Sequence, residues 1–352
     1  PASQSDARVA TSSAFTAKSG QESRNELAAR LLTAYRTVRD ETEQRAATLS
    51  PEDQLVQSMP DASPTKWHRA HVTWFWEQFL LGQHSPGYRP YHPDYAYLFN
   101  SYYVSAGPRH ARAQRGHLPR PGADEVTAYR KHVDAAVAAF FDSADADTLA
   151  KLEPLIEGGL NHEQQHQELL LTDILHAFAQ NPIPPAYQPG WRFPAATRTG
   201  DAWVTLMEGI HTIGHTDESF HFDNEKPAHR ALVGPVKLAR NLVTNAEWLA
   251  FMNDGGYTTP TLWLMDGFAA AEREEWQAPG HWRNTDGEWK IMTLGGLQPI
   301  DPSAPVSHVS YYEADAFARW SGKHLPTEME WEVAARAGHL NDAFGIVWQW
   351  TR

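Results

Sequence analysis

A proline-rich segment near the middle of the chain constrains the fold more than any other feature. The stretch NPIPPAYQPGWRFPAA, residues 181–196, cannot continue a helix, because each proline lacks a backbone N–H and clashes with the preceding turn. The chain has 352 residues, which exceeds the roughly 250–300 residues at which a single hydrophobic core stops growing. We therefore expect two domains that meet near residue 190.

The sequence before this segment contains four stretches with the apolar spacing of a helix. The first covers residues 24–46, and the second covers about 65–81, with Ser63 expected as its N-cap and Gly82 as its C-terminal stop. The third has apolar residues at intervals of three and four from Val126, and the fourth contains NHEQQHQELLLTDILHAFA. Four helices of this kind favour an N-terminal helical bundle.

The second and third predicted helices are separated by an unusually long connection, residues 83–122. It is dense in tyrosine and arginine, and it is far longer than the few residues that usually join two helices. Long ordered loops usually serve a function, so we expect it to contribute to a site.

The sequence after the proline-rich segment has a different pattern. Short strand-like runs alternate with turns rich in glycine, tryptophan and asparagine, and helices are predicted only at 244–254 and 311–320 and after the capping box of Thr327 and Glu330. This mixture predicts an irregular α+β domain.

The composition of the chain disfavours several classes of partner and of metal ligand. The formal charge of −13 disfavours a nucleic-acid partner, which requires a basic surface. No apolar run reaches the roughly 20 residues of a membrane span, and the polar start lacks a signal-peptide core, so we expect a cytoplasmic protein with no membrane partner. The chain has no cysteine, so a metal would have to be held by histidines and carboxylates.

The stretch GLNHEQQHQELLL, residues 159–171, contains a candidate metal site. His162 and His166 lie four apart and therefore face the same side of a helix. The same letters fit the HExxH pattern of zinc hydrolases, with Glu163 as general base. Alternatively, a third imidazole comes from KWHRAH, which holds His68 and His71 on the second helix. Three neutral histidines leave open positions on either iron(II) or zinc, so geometry alone does not choose the metal.

Two polar neighbours of this motif have different predicted roles. Glu168 lies about 200° round the helix from His166, so we expect it to support the structure and not to bind the same ion. Gln165 is predicted at the edge of the cavity, where its amide can hold a substrate imidazole through water.

Several segments together resemble a known enzyme family. SPTKWHRAH, YLFNSYY, GPRHARAQRG and NHEQQHQELLLTDI are similar to the DinB-like bundle of the ergothioneine-biosynthesis sulfoxide synthases of the EgtB type. After the linker, GIHTIGH, FDNEKPAH, VTNAEWLAFMNDGGY, PVSHVSYYEADAFARWSGKHLPTEMEWEVAAR and VWQWT resemble a C-type-lectin-like domain of the formylglycine-generating-enzyme type. The resemblance implies a flexible tail at residues 1–22, the bundle at 23–190, and the lectin-like domain at 191–352, incomplete at its C-terminal end.

The resemblance implies a mononuclear non-haem Fe(2+) enzyme. Such an enzyme uses dioxygen to join the sulfur of cysteine, or of γ-glutamylcysteine, to the imidazole ring of trimethylhistidine (hercynine), and the product is a sulfoxide. By position in the motifs, the implied metal ligands are His71, His162 and His166, and His68 is not a ligand.

The same resemblance assigns roles in the long connection. Tyr102 or Tyr103 is implied as a proton donor that steers the reaction toward the carbon–sulfur bond. Arg112 and Arg115 are implied as forked donors for the cysteine carboxylate, with Arg109 as a weaker candidate. The aromatic content suits the trimethylammonium group, which has no hydrogen to donate and is best held by ring faces.

Other functions remain open at this level. An ovothiol-type synthase would couple cysteine to unmethylated histidine. A zinc-dependent thiol transferase of the DinB-like group, an HExxH hydrolase, or a lectin-like binding protein without catalysis would use parts of the same sequence. The activity of formylglycine-generating enzymes is not inherited, because they use active-site cysteines and this chain has none.

Overall fold

The computed structural model describes residues 23–352 and divides them into two compact units, one ending at Pro189 and one spanning Gly190–Arg352. The flexible tail predicted at residues 1–22 lies outside the described residues.

The N-terminal unit is a bundle of long helices. The predicted first helix is confirmed, and it begins with a capping box in which Ser23 and Glu26 satisfy each other's backbone N–H groups. The bundle core is formed by apolar side chains from all the long helices, including Leu31, Val133 and Ile156. The helices are α1 (Arg24–Ala46), α2 (Thr65–Phe75), α3 (Gly82–His84), α4 (Tyr95–Leu98), α5 (Ala123–Ser143) and α6 (Ala146–Gln180), with a π-helical segment at Trp76–Leu81 between α2 and α3.

The predicted start of the second helix at residue 65 is confirmed, but both capping residues predicted for it are wrong. Pro64, not Ser63, is the N-cap of α2, and the hydroxyl of Ser63 instead accepts a hydrogen bond from Arg115 at 2.8 Å. Gly82 does not stop the helix, since it keeps right-handed φ and ψ values of −61° and −28°, and a glycine stop requires the left-handed conformation. Helical structure therefore continues to His84.

The long connection contains short helical segments. After α4, 3-10 turns occupy Val104–Ala106 and Arg112–His117. Lys66 of α2 donates to the carbonyl of Pro121 at 2.8 Å, which ties the end of the connection to the bundle. The connection is thus attached directly to the helix that holds two of the candidate histidines.

The C-terminal unit is built from small antiparallel sheets and short helices, as the sequence predicts. Two of its cores centre on Val204 with Leu238 and on Trp248 with Phe251. Strand β1 (Trp203–Leu206) pairs with β4 (Val236–Ala239), β2 (Gly209–Ile213) pairs with β3 (His229–Val233), and β5 (Trp282–Thr285), β6 (Glu288–Thr293) and β7 (Gly296–Pro299) form a three-stranded sheet. The helices are α7 (Asn245–Asn253), α8 (Met265–Arg273), α9 (Tyr311–Trp320) and α10 (Glu328–Arg336).

The predicted helices of this unit are confirmed, and α8 is an addition that the sequence reasoning missed. Thr244 caps α7 and Thr327 caps α10, each through a capping box. Within the described part of the chain, none of the helices combines the length and the apolar character that crossing a bilayer requires.

Candidate metal centre

Three imidazoles from two helices meet inside the N-terminal bundle. His71 lies on α2, His162 and His166 lie on α6, and their ligand nitrogens are all within 4.8 Å of one another. The Nε2 atoms of His71 and His162 are 3.2 Å apart. Two nitrogens at this separation can both bind one ion, because metal–imidazole bonds are about 2.1 Å long. The three side chains therefore form a candidate site for one metal ion.

Helix geometry explains why α6 supplies two of the three. At about 100° per residue, His162, His166 and Asp173 fall within about 40° of one another on the helix surface. Helix α2 packs against this side of the bundle and contributes the third imidazole. Both helices are thus needed to assemble the site.

The ring of His71 is fixed on both faces and at one nitrogen. It stacks on Trp67 with centroids 4.7 Å apart and on Trp74 with centroids 5.5 Å apart. Its Nδ1–H donates to the carbonyl of Phe99 at 2.6 Å. This hydrogen bond sets the tautomer in which Nε2 carries the lone pair, so Nε2 is free to bind a metal.

The environment keeps the three imidazoles neutral, which metal binding requires. Burial lowers the pKa of His162 to about 4. Burial holds the pKa of His71 and of His166 well below the usual value, and the neighbouring imidazoles lower it further. The Nδ1 atom of His162 is buried without a hydrogen-bond partner in the protein.

Glu163 faces away from the three imidazoles. Its side chain is fully buried, and its carboxylate forms ion pairs with Arg39 and Arg130, each at 3.1 Å. It also accepts hydrogen bonds from Thr42 at 2.8 Å and from Trp76 at 3.2 Å. Burial by itself raises the pKa of this carboxyl, but the two arginines and the hydrogen bonds bring it below its ordinary value. Glu163 is therefore a structural anion and is not placed to act on water at the metal.

The two candidate tyrosines occupy different environments. The ring of Tyr103 is half-buried, lies 6.2 Å from that of His162 and contacts Trp74, and burial raises the pKa of its hydroxyl. Tyr102 is 69% exposed, and its hydroxyl accepts from Arg112 at 2.5 Å. Only Tyr103 lies beside the three imidazoles.

The candidate arginines also differ. Arg115 is buried and lies 3.4 Å from the ring centroid of Trp67, on whose ring His71 also stacks. It donates to Ser63 at 2.8 Å, and its Nε is buried without a partner. Arg112 is exposed and donates to the carbonyl of Asp61, and Arg109 is exposed as well.

The two remaining candidates lie on the exposed side of α6. Gln165 is exposed and lies about 60° round the helix from His162. Glu168 is exposed and about 200° from His166, in agreement with the expectation that it does not bind the same ion.

Sequence reasoning set His68 aside as a ligand and did not single out Asp173, and the structure links both residues to this centre. His68 lies between His166 and Asp173 and is within hydrogen-bonding distance of both. Two signals pointed to them: a second histidine one turn before His71, and an aspartate seven residues after His166 on the same helix face.

Comparison with known proteins places both units in families. The DinB superfamily matches residues 34–170, and the sulfatase-modifying factor enzyme 1-like domain matches residues 191–351. The chain joins a DinB domain to a sulfatase-modifying-factor domain. This pairing confirms the resemblance and the fold class inferred from the motifs, a DinB-like helical bundle followed by a formylglycine-generating-enzyme-like domain.

Similarity to known proteins extends across most of the chain at moderate identity. The chain is 34% identical over 282 residues to the hercynine oxygenase of Mycolicibacterium thermoresistibile, 33% identical over 281 residues to that of Mycolicibacterium smegmatis, and 32% identical over 284 residues to that of Mycobacterium tuberculosis. Each match covers 78% of this chain but only 59–62% of the relative. The formylglycine-generating enzyme of Streptomyces coelicolor is 33% identical over 172 residues, or 44% of this chain.

These matches assign the three imidazoles to the DinB domain. His71, His162 and His166 fall inside residues 34–170, so the candidate metal centre lies entirely within one domain type. The chain spans about three fifths of the length of the hercynine oxygenases it matches.

Proposed function

We propose that this protein is an iron(II)- and dioxygen-dependent sulfoxide synthase that acts on hercynine. In the proposed reaction the thiol S–H bond of cysteine and a C–H bond of the hercynine imidazole are lost, and a C–S bond and an S–O bond form. One oxygen atom of O2 enters the sulfoxide and the other leaves as water with the two hydrogens. The similarity to hercynine oxygenases supports the substrate, and the three-histidine centre supports the cofactor.

The observation that carries the proposal is the convergence of His71, His162 and His166 as neutral imidazoles. Iron(II), when bound there, supplies redox chemistry with dioxygen and open coordination positions for a thiolate. His71 presents Nε2 because Phe99 holds its other nitrogen. The chain itself thus provides three nitrogens with no negative charge, which leaves room for the anionic sulfur of cysteine.

Tyr103 is the better candidate for the proton donor. Its ring lies beside His162, and its burial keeps the hydroxyl protonated and therefore able to donate. Tyr102 instead accepts from Arg112, and we propose that it helps to hold that arginine.

Arg112 and Arg115 are proposed to attract the carboxylate of the sulfur donor, with Arg109 as a weaker contributor. Arg115 has a buried Nε without a partner, and the exposed Arg112 and Arg109 add positive charge to the same loop. Gln165 is proposed to contact the imidazole of hercynine through water, from the exposed side of α6.

The HExxH hydrolase is disfavoured by the position of Glu163. A general base must lie within hydrogen-bonding reach of the metal-bound water, whereas this carboxylate is buried between two arginines. An engaged, fully buried anion does not serve that role.

The test is an anaerobic incubation of the protein with iron(II), followed by addition of oxygen, cysteine and hercynine, with the products identified by mass spectrometry. We expect the hercynyl cysteine sulfoxide, and we expect none from the His162→Ala variant. Parallel reactions with γ-glutamylcysteine and with unmethylated histidine identify the sulfur donor and separate this function from an ovothiol-type synthase.

Metal analysis of protein purified without oxygen decides between the metals. Zinc at full occupancy, together with activity that survives removal of iron, would contradict the proposal and favour a zinc-dependent thiol transferase. Product that forms only with iron supports it.

A further inference from the structure

A fourth histidine contacts the candidate metal centre without belonging to it. His68 lies on α2 one helical turn before His71 and is only 3% exposed. Its Nδ1 is 2.9 Å from Nδ1 of His166, and its Nε2 is 2.9 Å from a carboxylate oxygen of Asp173. The ring therefore bridges a candidate ligand and a partly exposed carboxylate.

The proton positions in the hydrogen-bonded series His166, His68 and Asp173 follow from the chemistry of the carboxylate at its end. An ionised carboxylate only accepts hydrogen bonds, so Nε2 of His68 carries the hydrogen that points to Asp173. In a neutral His68 the other nitrogen, Nδ1, then holds a lone pair and accepts from Nδ1–H of His166. His166 is left with its lone pair on Nε2, which is the atom free to bind a metal.

The carboxylate at the far end is itself held in place. Asp173 accepts the backbone N–H of Ser63 at 2.8 Å, and the hydroxyl of Ser63 accepts from the buried Arg115 at 2.8 Å. Asp173 lies on the same face of α6 as His162 and His166. The hydrogen bond between Ser63 and Asp173 thus ties the loop before α2 to the ligand-bearing side of α6.

We propose that His68 and Asp173 are positioning residues that fix the tautomer and ring orientation of His166 for metal binding. They act on His166 as the Phe99 carbonyl acts on His71, but through side chains that can be substituted one at a time. Removing partners of this kind typically weakens metal affinity about 10- to 100-fold. The proposal rests on the metal centre of the proposed function.

The test measures the dissociation constant for cobalt(II) and for anaerobic iron(II) by competition with a chelator. We expect His68→Phe and His68→Gln each to weaken binding about 10- to 100-fold, because neither places an acceptor at the position of Nδ1. His68→Asn places its side-chain oxygen near that position, so we expect it to lose about tenfold or less. Asp173→Asn should weaken binding while the three ligands remain.

The matched control is His132→Phe. His132 is an exposed residue of α5, and its Nε2 lies 3.3 Å from the carbonyl oxygen of Arg89. We expect its cobalt affinity and its cobalt absorption spectrum to match those of the unmodified protein. The spectrum of His68→Phe should change, because the orientation of one imidazole is no longer fixed.

Circular dichroism and thermal unfolding of the metal-free proteins show whether each variant is folded. If His68→Phe does not fold, the comparison of His68→Asn with His68→Gln and the Asp173→Asn variant carry the test. Equal affinities for Asn and Gln at position 68, or an unchanged affinity for Asp173→Asn, would overturn the positioning role. If the unmodified protein binds no metal, the metal centre is refuted together with the positioning role. If it binds metal but forms no sulfoxide, only the proposed reaction is refuted.

Discussion

Helix α6 carries polar residues on two faces, one at the candidate metal centre and one in a buried ion pair. His162, His166 and Asp173 lie on the face that meets the histidines of α2, where neutral nitrogens are left available. About 60–100° away, Glu163 lies where both of its carboxylate oxygens are engaged by arginine, threonine and tryptophan. Adjacent letters in one motif therefore serve a metal centre and a buried ion pair. Burial alone therefore does not distinguish a functional residue from a structural one. The difference is that the imidazoles keep nitrogens available for a ligand, whereas the carboxylate of Glu163 does not.

The largest expected effect comes from the metal-facing side. His71→Ala, His162→Ala or His166→Ala should each abolish stoichiometric iron binding, since two imidazoles cannot hold the ion as three do. Metal content after anaerobic loading measures this. His132→Ala removes an exposed imidazole of α5 and serves as the control. A His71→Ala protein that still retains one equivalent of iron would remove α2 from the centre.

The next effect tests the opposite face. Glu163→Ala should lower the free energy of unfolding by about 3–5 kcal/mol, because it leaves the buried Arg39 and Arg130 without their shared anion. Urea unfolding of the metal-free protein measures the change. The folded fraction should still bind metal. Full stability combined with loss of a metal-dependent hydrolysis would instead restore Glu163 as a general base.

A smaller effect compares the neighbouring tyrosines. Tyr103→Phe should reduce sulfoxide formation about 100-fold and divert cysteine to simple oxidation, because the proposed proton donor is lost. Tyr102→Phe should leave the product ratio close to that of the unmodified protein, since its hydroxyl bonds to Arg112. Product analysis of both variants checks this. If Tyr102→Phe shifts the ratio and Tyr103→Phe does not, the assignment is reversed.

The smallest effect is a matched control for the buried ion pair. Glu168→Ala removes a glutamate from the same helix as Glu163, but from an exposed position. We expect its unfolding free energy to change by no more than about 0.5 kcal/mol, with metal binding unaltered. A loss as large as that of Glu163→Ala would mean that loss of any glutamate from α6, and not loss of the buried ion pair, explains the first result.

Much of the site was accessible from the sequence because helical spacing is local information. His162 and His166 are four residues apart, so any helix brings them together. The proline-rich segment and the capping boxes likewise predict boundaries that local backbone rules control. Predictions based on single capping residues were wrong, since the hydroxyl of Ser63 bonds to Arg115 and Gly82 keeps a helical conformation.

The choice among the remaining residues needed distances across the bundle. The resemblance favoured His71 over His68, and the packing of α2 on α6 places His71 beside His162 and His166 and His68 in contact with Asp173. The same holds for Tyr102 and Tyr103, whose burial depends on the path of the long connection.

The sequence by itself determined two domains, a helical first half and a pair of histidines on one helix face, because turn chemistry and periodicity act between near neighbours. The resemblance already implied His71 as the third imidazole. Only the tertiary structure decided that the three imidazoles lie within 4.8 Å of one another, that Glu163 is a buried structural anion, and that His68 joins His166 to Asp173. Those outcomes depend on contacts between helices distant in sequence, and no local pattern sets them.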